Sequence, residues 1–423
     1  MTSDLLALPT DSTTHPWLIP LSLGTSAGSV EPGSPGAPTS AGPTPTAGSG
    51  HEPKPFDAAD EYLLHEFARR NIAPGSDVLV VNDRFGAIVT GLAERYRVTT
   101  RGDSVLAFEA AVANLSNNNL DPSGVLFQAQ TVPVVPDDAS ESPVFRAVLV
   151  RVPKSFALLE YQLGEIGRIV PAGTPVICGG MEKHLSRRVN TLLGDLVGPP
   201  TASLGWRKAR LIVACAEPEV TTRPRTSPFP TVYTLDEVKP PLTLRNHAGV
   251  FSRTGLDLGT RTMLPFLTVD LGEPPSPDAP LQVADLGCGN GVIGILSARS
   301  NPDAEYSFFD ESFMAVQSAE ENWQASFPGR PAAFITGHAM GATPPRTFDV
   351  VFCNPPFHQD HSVGDETAWR MFLSAHRALA PGGSFLVVGN RHLNYHNKLR
   401  RLFGNAEQLG GSPKFVVLHA QRA

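Results

Sequence analysis

The chain has 423 residues, enough for two domains of ordinary size and an additional segment. Hydrophobic residues make up 41% and charged residues 18%, a balance typical of a soluble globular protein with real cores. The formal net charge of −7 argues against a protein that coats nucleic acid indiscriminately, but it does not exclude a local basic face.

The lack of a recognisable targeting signal and the spacing of the cysteines both predict a cytoplasmic protein. No apolar run approaches the ~20 residues that span a bilayer, and the N-terminus lacks the basic and apolar regions of a signal peptide. The four cysteines show no CxxC spacing and lie in or beside apolar runs; they are Cys178, Cys215, Cys288 and Cys353. We therefore predict a cytoplasmic monomer with reduced core thiols, without a metal site or a membrane partner.

The chain opens with a segment unsuited to folding. Residues 1–52 are crowded with Pro, Gly, Ser and Thr, as in "EPGSPGAPTSAGPTPTAGSG". Such a composition buries too little apolar area to offset the entropy of the chain. We predict a disordered tail.

Beyond the tail the chain presents one pattern twice, in residues 53–220 and 232–423, with a Pro-rich linker at 221–231. Each copy alternates short β-rich runs with amphipathic stretches, which predicts an α/β fold of two tandem Rossmann-like domains. The copies differ where chemistry is expected, because the first has "NDRFGAI" and "VPKS" where the second has "DLGCGNG" and "NPPF". We interpret the first domain as a degenerate copy that kept the fold and lost the site. The alternative is that two unrelated Rossmann-like domains share this pattern.

A glycine-rich turn follows the first strand of the second copy. It precedes a helix that we expect to begin near Val292, and its glycines permit positive φ and close approach of a ligand. An acidic residue before the first glycine would repel pyrophosphate, but it suits the cationic amino group of S-adenosylmethionine. The candidate cofactor residues of this turn are Asp285, Gly287, Cys288, Gly289, Asn290 and Gly291.

The next strand ends in "FFDES", which places Asp310 and Glu311 after the turn. A carboxylate at this point can accept hydrogen bonds from both ribose hydroxyls of a nucleoside cofactor. One of the two acids could instead cap the helix that follows.

A later apolar run, from Val350 to Cys353, stops on Asn354, Pro355, Pro356 and Phe357. Two prolines end the strand and hold a rigid turn. The Asn354 side-chain oxygen and the Pro355 carbonyl can accept from an exocyclic amine, and Phe357 can stack on a flat base. We predict that this turn is the catalytic site.

Basic residues follow a late strand in each copy. In the second copy they include Arg391, His392 and Lys398, and the first copy has "KHLSRR" at residues 183–188 in the matching place. Together they are candidates for one extended phosphate-binding surface, although each group taken alone could be a solvated helix face.

The pairing of "DLGCGNG" with "NPPFH" resembles class I S-adenosylmethionine-dependent methyltransferases that act on exocyclic amines. More narrowly, the chain from near Ala59 to its end resembles the tandem-domain ribosomal RNA guanine-N2 methyltransferases, especially the large-subunit enzyme. The supporting segments are "NHAGVFSRTGLDLGTRTML", "DLGCGNGVIG", "DESFMAV", "FDVVFCNPPFHQ", "GNRHLNYHNKL" and "KFVVL".

The resemblance implies N2-methylation of a guanine in 23S rRNA, acting on protein-free RNA, with a first domain that has lost cofactor binding and helps to hold RNA. It also implies that the segment containing Phe251 and Arg253 crosses the active site. Where the family often has an acid near the adenine, this chain has His338 and the backbone of Ala339. His358 or a water molecule would take the departing proton.

Other functions remain open on the sequence alone. The substrate could be 16S rRNA, or the enzyme could methylate adenine N6 or protein glutamine N5, since those enzymes also carry an NPP turn. A nucleotide- or RNA-binding protein without activity, and an NAD-dependent oxidoreductase, are further alternatives. Asp285 and the NPPF turn argue against the oxidoreductase.

Overall fold

The structure is a computed structural model, and it describes residues 56–133, 143–267, 269, 271–272, 279–341, 343–356 and 361–423. The tail predicted at residues 1–52 and the predicted site residues Phe357 and His358 lie outside the described residues.

The first half of the chain forms a seven-stranded sheet. Its strands are β1 (Asp77–Val81), β2 (Arg97–Gly102), β3 (Val125–Ala129), β4 (Phe145–Arg151), β5 (Pro175–Met181), β6 (Thr201–Ala202) and β7 (Ala209–Cys215). They lie in the order β3, β2, β1, β4, β5, β7, β6, and the last three are joined by antiparallel pairing.

A two-stranded hairpin and a second seven-stranded sheet follow. The hairpin strands are β8 (Thr231–Leu235) and β9 (Leu242–Asn246). The strands of the second sheet are β10 (Gln282–Leu286), β11 (Glu305–Asp310), β12 (Ala333–Thr336), β13 (Phe348–Cys353), β14 (Leu379–Asn390), β15 (Glu407–Gly411) and β16 (Phe415–Gln421). Their order is β12, β11, β10, β13, β14, β16, β15, which repeats the order of the first sheet strand for strand.

Helices connect and cover the strands. They are α1 (Ala58–Ala68), α2 (Ala87–Leu92), α3 (Val105–Asn117), α4 (Phe156–Ile169), α5 (Arg187–Leu196), α6 (Pro218–Thr221), α7 (Leu258–Met263), α8 (Val292–Ser300), α9 (Phe313–Ser326), α10 (His361–Ala378) and α11 (Tyr395–Phe403). Short 3-10 turns span Pro122–Gly124, Glu182–His184, Leu264–Phe266 and Arg391–Leu393.

The central strands consist almost entirely of apolar residues because both faces of each sheet are covered. In β10, Val283 joins the core that contains Trp323 on one face, whereas Ala284 and Leu286 join the core that contains Phe372 on the other. Successive side chains of a strand point to opposite faces, so a buried strand needs apolar residues at nearly every position.

The tandem α/β fold expected from the repeated pattern is confirmed by the two sheets and their shared strand order. Residues 222–230, between the end of α6 and the start of β8, are in neither helix nor strand. The domain boundaries at 220 and 232 remain predictions.

The expectation of four core thiols is wrong at one position. Cys178, Cys288 and Cys353 are buried free thiols, but Cys215 is a free thiol on the surface. Cys215 is the last residue of β7. Side chains of a strand alternate between its two faces, and Cys215 lies on the face that is exposed to solvent at this end of the strand. In the described part of the chain, no helix combines the length and the apolar character needed to cross a membrane.

Candidate active site

Three neighbouring strands of the second sheet end at one place. β10 lies between β11 and β13, so the strand order reverses beside β10. Open α/β sheets bind ligands at such a point, because the crossovers on either side leave a crevice at the carboxyl ends of the strands. The glycine turn follows β10, Asp310 is the last residue of β11, and Asn354 follows β13. The topology therefore brings together residues that were predicted separately.

The glycine turn after β10 lies against β11. The amides of Gly287 and Cys288 donate to the carbonyl of Phe309 at 2.8 and 2.9 Å. Gly287 has a φ of +75°, and a Cβ there would lie 2.9 Å from Cε of Met371. Gly289 has a φ of +55°, and nothing described lies within 4 Å of its Cβ position. The backbone at Gly289 is therefore open to a ligand, as a cofactor turn requires.

Asp285 is the buried acid of this site. Its Oδ2 accepts from the Gly294 amide at 2.9 Å, whereas its buried Oδ1 has no hydrogen-bond partner among the described residues. Burial raises the pKa of this carboxyl to about 8; the Gly294 amide opposes the rise and nearby Asp310 adds to it. A cationic group placed nearby would stabilise the ionised carboxylate, so the ammonium group of S-adenosylmethionine fits this acid.

Asp310 ends β11 and joins the two loops of the crevice. Its Oδ2 accepts from the Gly289 amide at 3.0 Å, and its Oδ1 accepts from the Ser312 amide at 3.0 Å. Burial raises the pKa of Asp310, and these backbone donors partly offset the rise. Glu311 is different, because its carboxylate accepts a hydrogen bond from Ser104 of the first half of the chain. Neither acid is the N-cap of α9, a role that Ser312 fills.

The remaining side chains of the glycine turn are occupied in holding it. Asn290 donates from Nδ2 to the Tyr233 hydroxyl at 3.1 Å and to Oδ1 of Asn246 at 2.8 Å. Asn322 of α9 donates to the carbonyl of Asn290 at 3.0 Å. Cys288 packs in the core, and burial raises its pKa well above the ordinary value of a thiol. The hairpin and α9 therefore support the turn from behind.

His338 and Ala339 lie on the turn after β12, beside Asp310. The amide of Gly337 donates to the carbonyl of Asp310 at 2.9 Å, and the amide of Gly341 donates to the carbonyl of His338 at 2.9 Å. Ala339 has a φ of +49°. These bonds hold the turn that carries both residues beside the end of β11.

Asn354 has its amide fixed in one orientation. Its Nδ2 donates to Thr260 Oγ1 at 2.8 Å and to Asp257 Oδ2 at 3.2 Å. Its Oδ1 is buried and has no hydrogen-bond partner among the described residues. The other oxygen of Asp257 accepts from the Gly259 amide at 2.8 Å and caps α7, which fixes the carboxylate in turn. The carbonyl end of Asn354 is left as an acceptor for a ligand.

Asp257 and Thr260 were missed by the sequence interpretation. The segment that contains them was singled out, but its candidates were Phe251 and Arg253. Phe251 is 60% exposed, and Arg253 is partly buried. The detectable signal was Asp257 itself, because an Asp directly before a helical stretch is an N-cap pattern.

Beyond Asn354, Pro355 is buried and Pro356 is exposed. Arg391 and His392 lie on the 3-10 turn after β14, the fifth strand of the second sheet, and both are exposed. Lys398, one turn into α11, places its ammonium group 5.4 Å from the centre of the Tyr395 ring. Residues 182–184 form the matching 3-10 turn after β5 in the first sheet.

Two family models match the chain. The model described as "RLMG N-terminal domain" matches residues 44–219, and the model described as "Methyltransferase small domain" matches residues 241–419. The two matches correspond to the first and second sheets.

The chain is also similar to curated proteins over most of its length. It is 50% identical over 369 residues to "Ribosomal RNA large subunit methyltransferase G" of Pseudomonas aeruginosa (strain UCBPP-PA14), covering 86% of this chain and 92% of that protein. It is 48% identical over 368 residues to the protein of the same name in Pseudomonas syringae pv. tomato (strain DC3000), covering 87% and 93%.

Among solved structures, the T. Thermophilus 16S rRNA N2 methyltransferase (RsmC) in complex with AdoMet and guanosine has a similar fold. The TM-score is 0.68 and the sequence identity is 22%, with 87% of this chain and 92% of that chain covered. At this identity the likeness concerns the two-domain fold.

Proposed function

The chain belongs to the ribosomal RNA large subunit methyltransferase G family, and from this premise we propose that it methylates N2 of a guanine in 23S rRNA. It is an S-adenosylmethionine-dependent methyltransferase, and its substrate class is ribosomal RNA. The choice of an exocyclic amine rests on the geometry of Asn354, and the choice of guanine N2 rests on the resemblance to the guanine-N2 methyltransferases.

The observation that carries this proposal is the orientation of Asn354. Both hydrogens of its amide nitrogen are directed at acceptors within the protein, Thr260 and Asp257. The carbonyl oxygen is therefore turned the other way, with no described partner. An oriented amide oxygen at the carboxyl end of β13 suits a donor such as an exocyclic amine, whereas a thiolate nucleophile has no hydrogen to donate to it.

The proposed chemistry is positioning and electrostatic stabilisation. Guanine N2 is a poor nucleophile because its lone pair is delocalised into the ring. Hydrogen bonds from the amine to Asn354 Oδ1 and to the Pro355 carbonyl would localise that lone pair and aim it across the crevice. S-adenosylmethionine, when bound, supplies an electrophilic methyl group on its sulfonium. The amine becomes cationic as it accepts the methyl group and then releases a proton to His358 or to water.

The cofactor site proposed here comprises the glycine turn, Asp285, Asp310 and the turn bearing His338 and Ala339. Asp285 would face the ammonium group, and Asp310 would accept from the ribose hydroxyls. The backbone of Gly289 would lie against the cofactor, because its Cβ position is open. Asp285 Oδ1, which has no hydrogen-bond partner among the described residues, supports the placement of a cation on this side of the crevice.

The target base must leave its stack to reach this crevice, as base-modifying enzymes require. We propose that Phe357 stacks on the base and that Phe251 and Arg253 contact it from the segment before α7. Arg391, His392 and Lys398 would bind the RNA backbone near the crevice, and Lys183, Arg187 and Arg188 would extend this surface onto the first domain.

The proposal is tested by transfer of a tritiated methyl group to unmodified, protein-free 23S and 16S rRNA, followed by nucleoside analysis. Wild type would be compared with Asn354→Ala and with the control Asn117→Ala, an exposed residue at the end of α3. We expect N2-methylguanosine in 23S rRNA with wild type and the control, and none with Asn354→Ala. Label in 16S rRNA alone would reassign the substrate, and N6-methyladenosine would overturn the choice of base.

A further inference from the structure

The two halves of the chain meet at the starts of two matching helices, α3 in the first half and α9 in the second. The Phe313 amide donates to the carbonyl of Asp103 at 3.0 Å, and the Val105 amide donates to the carbonyl of Glu311 at 3.0 Å. Each helix thus has its first amide satisfied by a carbonyl of the other half. The exchange is reciprocal because the two turns occupy the same place in two copies of one fold.

Side chains also form reciprocal hydrogen bonds between the halves, and among the described residues the Asp103 side chain makes one bond more than the Glu311 side chain does. Ser104 donates to the carboxylate of Glu311, and Ser312 donates from Oγ to Asp103 Oδ2 at 2.7 Å. Asp103 Oδ1 also accepts from the Met314 amide at 2.8 Å. Asp103 therefore satisfies an amide in the first turn of α9, a role that normally falls to a residue of the same helix.

Packing around Asp103 is tight. A Cβ on Gly249 would overlap Oδ2 of Asp103, so only glycine lets this backbone approach. The Gly249 amide lies 3.2 Å from Sδ of Met314. The rings of Phe108 and Phe313 lie 5.7 Å apart, within an apolar cluster shared by the two halves. The contact at Asp103 is thus enclosed by packed groups from both halves.

Asp310, the acid proposed to bind the cofactor ribose, lies two residues before Ser312, the N-cap of α9. Asp310 accepts from the Ser312 amide at 3.0 Å and from the Gly289 amide at 3.0 Å. Asp103 therefore bonds to the side chain of the residue whose backbone orients Asp310. Glu311, which contacts the first half through its carbonyl and its carboxylate, is the next residue after the carboxylate that faces the glycine turn.

We propose that Asp103, in the domain that lacks the glycine-rich turn, is a positioning residue for the cofactor site of the other domain. By holding Ser312 and Met314 it fixes the turn that orients Asp310, so the affinity for S-adenosylmethionine depends on the first domain. The inference rests on the proposed function only in the role given to Asp310. It gives the first domain a part in cofactor binding that is separate from any contact with RNA.

The test is calorimetric titration of the full-length protein with S-adenosylhomocysteine, the product form of the cofactor. Asp103→Ala is compared with Asp121→Ala, which removes another aspartate cap of the first domain at the exposed turn Pro122–Gly124. We expect Asp103→Ala to raise the Kd about tenfold, the factor that corresponds to loss of one helix cap. Asp121→Ala should leave the Kd within about twofold of wild type.

A second variant keeps the test decisive if Asp103→Ala does not fold. Asp103→Asn retains an acceptor for Met314 but loses the carboxylate acceptor of Ser312, so we expect a smaller rise in Kd, about threefold. A purely structural role would lower the unfolding temperature and leave the Kd of the folded fraction unchanged. A wild-type Kd in Asp103→Asn, or in folded Asp103→Ala, would overturn the proposal.

Turnover separates this inference from the proposed function. With Asp103→Asn we expect a higher KM for S-adenosylmethionine and an unchanged kcat at saturating cofactor. If wild type methylates no RNA, the proposed function fails, but the effect of Asp103 on the Kd still decides this inference. If RNA is methylated and the Kd does not change, only this inference fails.

Discussion

Arg151 stands in the first sheet at the position that Asn354 occupies in the second. The last residue of β1 pairs with Val150, and the last residue of β10 pairs with Cys353. Arg151 and Asn354 are the residues that directly follow these partners, so Arg151, and not the first residue of "VPKS", corresponds to Asn354. The same strand end therefore carries an oriented amide in one copy and a buried cation in the other.

In the first copy the Arg151 side chain fills the site at this strand end. Arg151 lies 2.8 Å from Asp57 Oδ2 and 3.0 Å from Asp60 Oδ1, and its side chain is buried. At the end of β2, Gly102 stands where the second sheet has Asp310. The first copy thus lacks both the acceptor and the ribose acid proposed for the second, which supports its interpretation as a degenerate domain.

Replacement of Arg151 by Ala should destabilise the protein by about 3 to 5 kcal/mol, because the buried Asp60 would be left without its counter-charge. Urea unfolding measures this loss. The control is Arg97→Ala, which removes an ion pair with Asp77 from an arginine that is 68% exposed, and its cost should be far smaller because solvent screens an exposed pair. Equal losses for the two variants would contradict the role given to Arg151.

Asp257→Asn should lower kcat by about 100-fold without weakening cofactor binding. Asparagine still caps α7, but it turns an amide nitrogen toward Nδ2 of Asn354. The carboxamide of Asn354 then rotates, and its oxygen, which has no partner among the described residues, is no longer held in place for the substrate amine. Single-turnover methyl transfer at saturating cofactor measures the change. Asp121→Asn, a matched cap change away from the site, should have no effect. Full activity in Asp257→Asn would show that the orientation of Asn354 is unimportant.

Gly289→Ala should weaken the binding of S-adenosylhomocysteine more than about tenfold, because the new methyl group would occupy the open space over the turn. The positive φ adds strain of about 1 to 2 kcal/mol. Gly75→Ala is the control, since Gly75 also has a positive φ and an open Cβ position. Calorimetry on both variants separates backbone strain from the loss of cofactor contact. Both variants carry the strain, but weaker binding is expected for Gly289→Ala alone.

Cofactor binding should release a proton at pH 7. Burial raises the pKa of Asp285 to about 8, so the carboxyl is mostly protonated in the free protein at pH 7. The ammonium group of the cofactor favours the carboxylate and lowers this pKa, so binding expels the proton and affinity rises with pH until about 8. Titrations in phosphate and in Tris buffer should differ in enthalpy by the buffers' ionisation heats. Asp285→Asn should abolish that difference, and a buffer-independent enthalpy in wild type would argue against this protonation state.

The sequence by itself determined the tandem α/β fold, the glycine turn and the start of α8. These features depend on neighbouring residues. Glycines permit the positive φ values of the turn, apolar runs form strands covered on both faces, and prolines end the strand before the NPPF turn. Because each signal lies within a few residues, it can be read without knowing what the segment contacts. The roles given to Phe357 and His358 remain predictions, since both residues lie outside the described part of the chain.

Only the tertiary structure decided which side chains complete the site. Asn354 takes its orientation from Asp257, which lies 97 residues earlier in the chain, and Ser312 donates to Asp103 across 209 residues. The Asn290 side chain anchors its turn to the β8–β9 hairpin, and its predicted contact with the cofactor remains a prediction. A hydrogen bond between distant residues leaves no local pattern, because any polar side chain of suitable length can serve and its partner is chosen by how the sheets and helices pack.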